Sequence, residues 1–323
     1  MRWWAASILP GISLITRPRP CANLDDAPIT FDPAETGSKA WTPENYERDF
    51  LGPINMRVAL AKSRNVASAR ILHAIGPNYA HDYVTRFGFS ANQIPPYLAM
   101  VLGVGSVTPL QMAQAYSVFA NGGYHVVPYL VERVADRNGR VLGQATPIRA
   151  GDETARVIDA RNAFVMSSML RDVVERGTAA RASQLARRDL AGKTGTTNEF
   201  TDAWFNGFNS ELVAVAWVGF DRPRFLGPNE VGARTALPIW MRYMGTVLEG
   251  KPQILPPIPS GIVEVSVDPS TGLASENEGA VLEYFYQEYA PTSQVREPTQ
   301  ASEVAEKPAG DESPPLGCGE DAP

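Results

Sequence analysis

With 323 residues, 44% of them hydrophobic, the chain can bury one large core or two modest ones. Its net charge of -6 is uneven: from position 290 to the end seven acids stand against two bases, so the rest is nearly neutral and lacks the basic face of a nucleic-acid surface. Three histidines (His73, His81, His125) and two distant cysteines (Cys21, Cys318) form no metal-ligand pattern, and no stretch reaches the ~18 apolar residues of a membrane span.

Residues 1–23 do not read like the remainder. An apolar run is broken by Pro10 and Gly11, and Arg17, Pro18, Arg19 and Pro20 follow. A single early arginine and no clean Ala-x-Ala site argue against a signal peptide, and a flexible leader is expected. Positions 25–52 are turn-rich, punctuated by Pro28, Pro33, Gly37 and Pro43. From 53 to 75 helical spacing appears in two pieces, with Met56, Ala59 and Leu60 on one apolar face and Val66, Ala69 and Leu72 on the next. Ser63, Arg64 and Asn65 fall at the junction, where serine and asparagine read as helix caps. A short helix is predicted over 78–89. Thr108 followed by Pro109 marks a helix start, and Asn121, Gly122 and Gly123 its stop.

A hairpin is predicted from 129–135 and 141–142 around Arg137, Asn138 and Gly139. The longest helical pattern runs over 155–175 and ends before Gly177. Residues 190–196, 203–208 and 212–219 read as adjacent antiparallel strands, and 237–248 as a last core helix. A Pro-rich linker with Pro252, Pro256, Pro257 and Pro259 leads into a small β-rich appendage, together 251–289; an acidic tail expected to be disordered occupies 290–323.

The chemistry concentrates in Ala191, Gly192, Lys193, Thr194, Gly195, Thr196 and Thr197. Lys193, Thr194 and Thr196 offer a cation and two hydroxyls to a carboxylate or tetrahedral oxyanion, and Gly195 leaves room for a ligand backbone. A phosphate-binding P-loop is excluded, because position 187 is arginine where that loop needs glycine, and a strand follows in place of a helix. His81 with Asp82 has no second ligand set and reads as helix surface. Asp25 and Asp26 read as turn residues, and Trp204 and Trp217 as core.

Order and spacing decide what single signals do not. Ser63-x-Asn65 on an interhelical loop, followed by Lys193, Thr194 and Gly195 on a strand, resembles the second and third motifs of the penicillin-binding proteins. Further text resembles the bifunctional class A enzymes: Asp26-Ala27-Pro28, Trp41-Thr42-Pro43-Glu44-Asn45, the run from Leu60 to Val66, the run from Thr108 to Tyr116, Phe119-Ala120-Asn121-Gly122-Gly123, and the run from Lys193 to Asn198. The resemblance covers about 25–247, and a partial transpeptidase domain is expected over 24–250. It implies an α+β fold, an antiparallel sheet flanked by helices with a mostly helical lobe. It also implies a D,D-transpeptidase that cross-links peptidoglycan stem peptides ending in D-Ala-D-Ala, is acylated by β-lactams and uses no metal or other cofactor. Ser63 would relay a proton to the leaving amine and Asn65 would bind substrate amides. Lys193, Thr194 and Thr196, beside Gly195, would hold the terminal carboxylate, and the Thr196 N–H would be half of the oxyanion hole.

One departure matters. The family's first motif, Ser-x-x-Lys, carries the nucleophile, and the chain contains no such spacing; its first lysine is Lys39. An N-terminally truncated, inactive domain is therefore expected, from a family that works at the periplasmic face of the inner membrane. A non-catalytic stem-peptide-binding protein and a hydrolase with another nucleophile, such as Ser63, are the alternatives. The strand over 212–219 is apolar on both faces and needs a neighbour, which the 261–286 appendage is one candidate to supply.

Overall fold

The computed structural model describes residues 23–197 and 199–291. The readings for the leader and the acidic tail, apart from Asn23, Ala290 and Pro291, and those for both cysteines and Asn198 lie outside the described residues. Strand β1 (Asn23–Asp26) pairs antiparallel with β2 (Gly52–Asn55), bracketing a one-turn helix α1 (Pro33–Thr36) and an irregular segment. Helices α2 (Met56–Ala61), α3 (Asn65–Ile75) and α4 (Pro77–Val84) follow, then three short 3-10 turns ending at Leu102. Helix α5 (Pro109–Ala120) begins as its sequence dictates. The Thr108 hydroxyl accepts from the Gln111 N–H at 3.2 Å, and the Gln111 side chain accepts from the Thr108 N–H at 2.9 Å.

The hairpin β3 (Arg133–Ala135) and β4 (Val141–Gln144) is exposed throughout. Helix α6 (Ala160–Glu175) starts five residues later than its apolar pattern suggests. Tyr124 and Arg156 form an antiparallel bridge, and the Val157 N–H donates to the Gly123 carbonyl, so this backbone is already committed. The Asp159 carboxylate then caps the helix, accepting from the Arg161 N–H at 2.8 Å.

Strands β5 (Ala191–Thr196), β6 (Asp202–Phe208) and β7 (Val213–Gly219) form an antiparallel sheet in that order. Alternation puts Phe205 and Gly207 on one face and Phe208 on the other. Helix α7 (Ala236–Val247) covers the first face, with Trp240 edge-on to Phe205 at 4.7 Å. Helix α5 covers the second, with Tyr116 against Phe208 at 6.3 Å. Helix α6 runs beside β5 and packs on α2. The central strand β6 is buried along its whole length, as its Trp, Phe and Ala content demands.

Strands β8 (Ile262–Val267) and β9 (Val281–Tyr286) pair with each other and not with β7, so the appendage does not supply the neighbour sought for that strand. Among the described residues β7 is an edge, half-buried by its flanking helices. The β8–β9 hairpin instead joins the main core through Ile262 and Tyr286. Arg57 fastens it: its guanidinium pairs with Glu283 (Nε–Oε2 2.7 Å) and reaches Ser168 at 3.0 Å and Asp172 at 3.3 Å.

Candidate active site

Lys193 lies on β5 and is only 1% exposed, the condition under which an ammonium is most costly. Its Nζ donates to the Ser63 hydroxyl oxygen at 2.6 Å and to the Thr194 carbonyl at 3.0 Å. Burial pulls its pKa down from the ordinary 10.5 to about 7. Near neutral pH this amine therefore exists in both forms, the property of a group that hands protons on through a neighbouring hydroxyl. The neighbouring hydroxyls are oriented too. Thr194 Oγ1 shares a hydrogen bond with Thr178 Oγ1 at 2.7 Å, and Thr196 Oγ1 accepts from the Gly232 N–H at 3.0 Å, leaving its own proton free to donate.

Ser63 reaches Lys193 because two helix ends meet. At the end of α6 the Thr178 N–H donates to the Ala61 carbonyl at 3.0 Å, and the bare Cα of Gly177 permits this approach. The turn after α2 then carries Ser63 in the left-handed region at φ +57°, an unfavourable conformation for a residue with a side chain. Neither Ser63 nor Asn65 is a helix cap, contrary to the reading of the junction; the cap position of α3 is Arg64, without a side-chain cap. The Asn65 side-chain amide instead donates to the Glu44 carbonyl at 2.8 Å.

These residues line a groove of about 510 Å³. Its lining takes Thr194 and Thr196 from β5, Thr197 just after it, Ser63, Asn65 and Thr178 from the two helix ends, and the irregular stretch from Trp41 to Arg48. Tyr46 meets Phe200 edge-on across the rim at 6.4 Å. The groove can hold an extended peptide along a strand edge, present a hydroxyl pair to an anionic end, and move a proton between Ser63 and Lys193.

Residues 22–229 match the family model described as the penicillin binding protein transpeptidase domain. The chain belongs to that family. It is 43% identical over 317 residues to penicillin-binding protein 1A of Pseudomonas aeruginosa, covering 84% of this chain and 38% of that protein. It is 45% identical over 240 residues to penicillin-binding protein 1A of Neisseria lactamica, 74% of this chain and 30% of that one. The crystal structure of penicillin-binding protein 1A from Haemophilus influenzae superimposes with a TM-score of 0.84 at 34% identity, covering 91% of this chain and 49% of that chain. The chain thus spans less than half the length of these relatives.

As a penicillin-binding transpeptidase domain, the chain gathers most of the predicted site residues into one place. Ser63, Asn65, Thr194 and Thr196 line the groove, and Lys193 lies beneath it against Ser63. Gly195 is not among the lining residues. The backbone of Gly232 packs against it, so closely that a Cβ on Gly232 would lie 2.6 Å from the Gly195 carbonyl oxygen. Among the described residues His81 bonds its neighbour Asp82 (3.0 Å) and the Ala91 carbonyl (2.9 Å), and no cluster has metal-ligand character.

Two groups were missed or misread. Thr178 carries no motif signal at all. Asp26, read as a turn residue, lies on β1 with no exposed surface and binds Arg64 (Nε–Oδ2 2.7 Å), the Asn45 amide (2.8 Å) and the Leu51 N–H (3.1 Å). Only its place in the Asp26-Ala27-Pro28 text of the family resemblance hinted at it.

Proposed function

We propose that this chain provides the carboxylate-holding and proton-handling part of a serine D,D-transpeptidase site, acting on peptidoglycan stem peptides ending in D-Ala-D-Ala and recognising β-lactams. The observation that carries the reading is the 2.6 Å contact between the buried Lys193 amine and the Ser63 hydroxyl, beside Thr194 and Thr196 on an accessible strand edge. As the acyl group passes to a Ser-x-x-Lys serine, which these residues do not contain, the departing amine would take a proton from Ser63, and Ser63 would be reprotonated by Lys193. Thr194 and Thr196 hold the donor's terminal carboxylate, Asn65 meets its amide groups, and the Thr196 N–H faces the developing oxyanion. In the cell this chemistry belongs at the periplasmic face of the inner membrane. Among the described residues no helix is long and apolar enough to cross a membrane.

These 323 residues contain no Ser-x-x-Lys, so we assign them binding and proton transfer but not the acylated serine. The test is fluorescent penicillin added to the purified chain, alongside calorimetry with a diacetyl-lysyl-D-Ala-D-Ala peptide. Reversible peptide binding without covalent labelling is expected. A second reading, hydrolysis by Ser63 itself, is favoured by the same Ser–Lys contact, since a neutral lysine can serve as a serine's base. Stoichiometric label mapped to Ser63 would establish that reading in place of the first, and loss of both signals would refute both.

A further inference from the structure

Ser63 and Asn65 line the groove, while the residue between them enters an ionic cluster with one buried carboxylate, Asp26, and two half-exposed ones, Glu47 and Asp49. Arg64 is 3% exposed. Its Nε bonds Asp26 Oδ2 at 2.7 Å, its Nη1 bonds Asp49 Oδ1 at 2.8 Å, and its Nη2 bonds the Asp49 carbonyl. Glu47 lies 3.4 Å from Nη1. Asp26 in turn holds the Asn45 amide, which also donates to the Asp49 carbonyl at 2.9 Å, and Asn45 Oδ1 accepts from the Val66 N–H at 3.2 Å. The groove wall between the Phe31–Trp41 bridge and β2 has no ladder of its own. Its positions are set from the Ser63–Asn65 turn, at Glu44, Asn45 and Asp49.

We infer that Arg64 is a positioning residue for the site: clamped between Asp26 and Asp49, its guanidinium holds the Ser63 hydroxyl on Lys193 and the 41–51 wall at its distance from β5. The inference rests on the transpeptidase reading for its functional consequence. Donors on three separate nitrogens reach a strand carboxylate, a loop carboxylate and a loop carbonyl at once; a planar guanidinium spreads its N–H groups over Nε, Nη1 and Nη2, whereas the three N–H groups of an ammonium all leave one nitrogen. Ser63 sits at positive φ, so the turn relaxes out of its conformation once the residue beside it is released.

The experiment uses the full chain with Arg64→Lys, Asp26→Asn and the milder Asp49→Asn, alone and combined with Ser63→Ala. The readouts are the dissociation constant of the diacetyl-lysyl-D-Ala-D-Ala peptide and the titration midpoint of Lys193, followed by lysine 13Cε NMR and assigned with Lys193→Met. Near-ultraviolet circular dichroism checks folding at each temperature used. Arg64→Lys is expected to weaken the peptide by about tenfold or more, the scale of a misplaced positioning contact. It should also move the Lys193 midpoint toward the ordinary lysine value. In the Ser63→Ala background the loss of peptide affinity caused by Arg64→Lys should be smaller, because that loss runs through the position of the Ser63 hydroxyl. A lower melting temperature with both readouts unchanged would overturn the proposal and leave Arg64 merely stabilising. Should Arg64→Lys fail to fold, Asp49→Asn, a change at a carboxylate that is itself about half exposed, must move both readouts in the same direction or the proposal falls. If the unaltered chain does not bind the peptide, the transpeptidase reading fails, and the Lys193 midpoint still decides the role of Arg64.

Discussion

Replacing Lys193 by methionine tests whether this amine is as deeply desolvated as its surroundings imply. In the unfolded chain a lysine titrates near 10.5, and in the folded chain Lys193 titrates at about 7. Between those values the unfolded state binds more protons, so stability rises with pH through the window and is lost as pH falls through it. The full difference is about 5 kcal/mol at about 1.4 kcal/mol per unit. Methionine removes the titration and keeps most of the side-chain volume, but it leaves the Ser63 hydroxyl and the Thr194 carbonyl without their donor, a loss of about 1–3 kcal/mol each. The variant should therefore be the less stable protein at pH 10, and its deficit should shrink or reverse by pH 6. Urea unfolding of both proteins at unit intervals from pH 6 to 10 measures this directly. Parallel stability curves would show that Lys193 titrates as an ordinary exposed lysine, and the proton-handling role argued from its burial would fall with them.

Gly232→Ala should cost about 1–3 kcal/mol, because its Cβ would meet the Trp204 carbonyl oxygen at 2.3 Å and force the backbone apart; an unchanged urea midpoint would refute that close packing. Arg57→Met strands buried Glu283 and should cost about 3–5 kcal/mol, most of it recovered when Glu283→Leu is added, and additive losses in the double-mutant cycle would contradict the pairing. Thr108→Ala removes the hydroxyl that caps α5 and should lower stability by about 1 kcal/mol, read by thermal melting.

The elements were largely legible before the structure, for local reasons. The start of α5 is written in Thr108, Pro109 and Gln111, which bond to one another within a single turn. The three strands around Lys193 appear within a residue or so of their observed ends, because apolar and β-branched runs separated by Asn209 and Ser210 admit little else. The start of α6 was misplaced because the claim on residues 155–158 comes from Gly123 and Tyr124, some thirty positions away. The same distance effect separates the parts of the site. By itself the sequence determined that a lysine, two threonines, a serine and an asparagine occur in a transpeptidase order. It did not determine that Asp26 and Arg64 would be partners 38 positions apart, that Arg57 would reach Glu283 across 226, or that Gly232 would occupy the space beside Gly195. Nor did it determine the character of Lys193. Helix caps and strand patterns are set by groups within one turn or one pleat of each other. Desolvation, ion pairing and close backbone contact depend on which distant segments fill the space around an atom, and only the packed chain decides that.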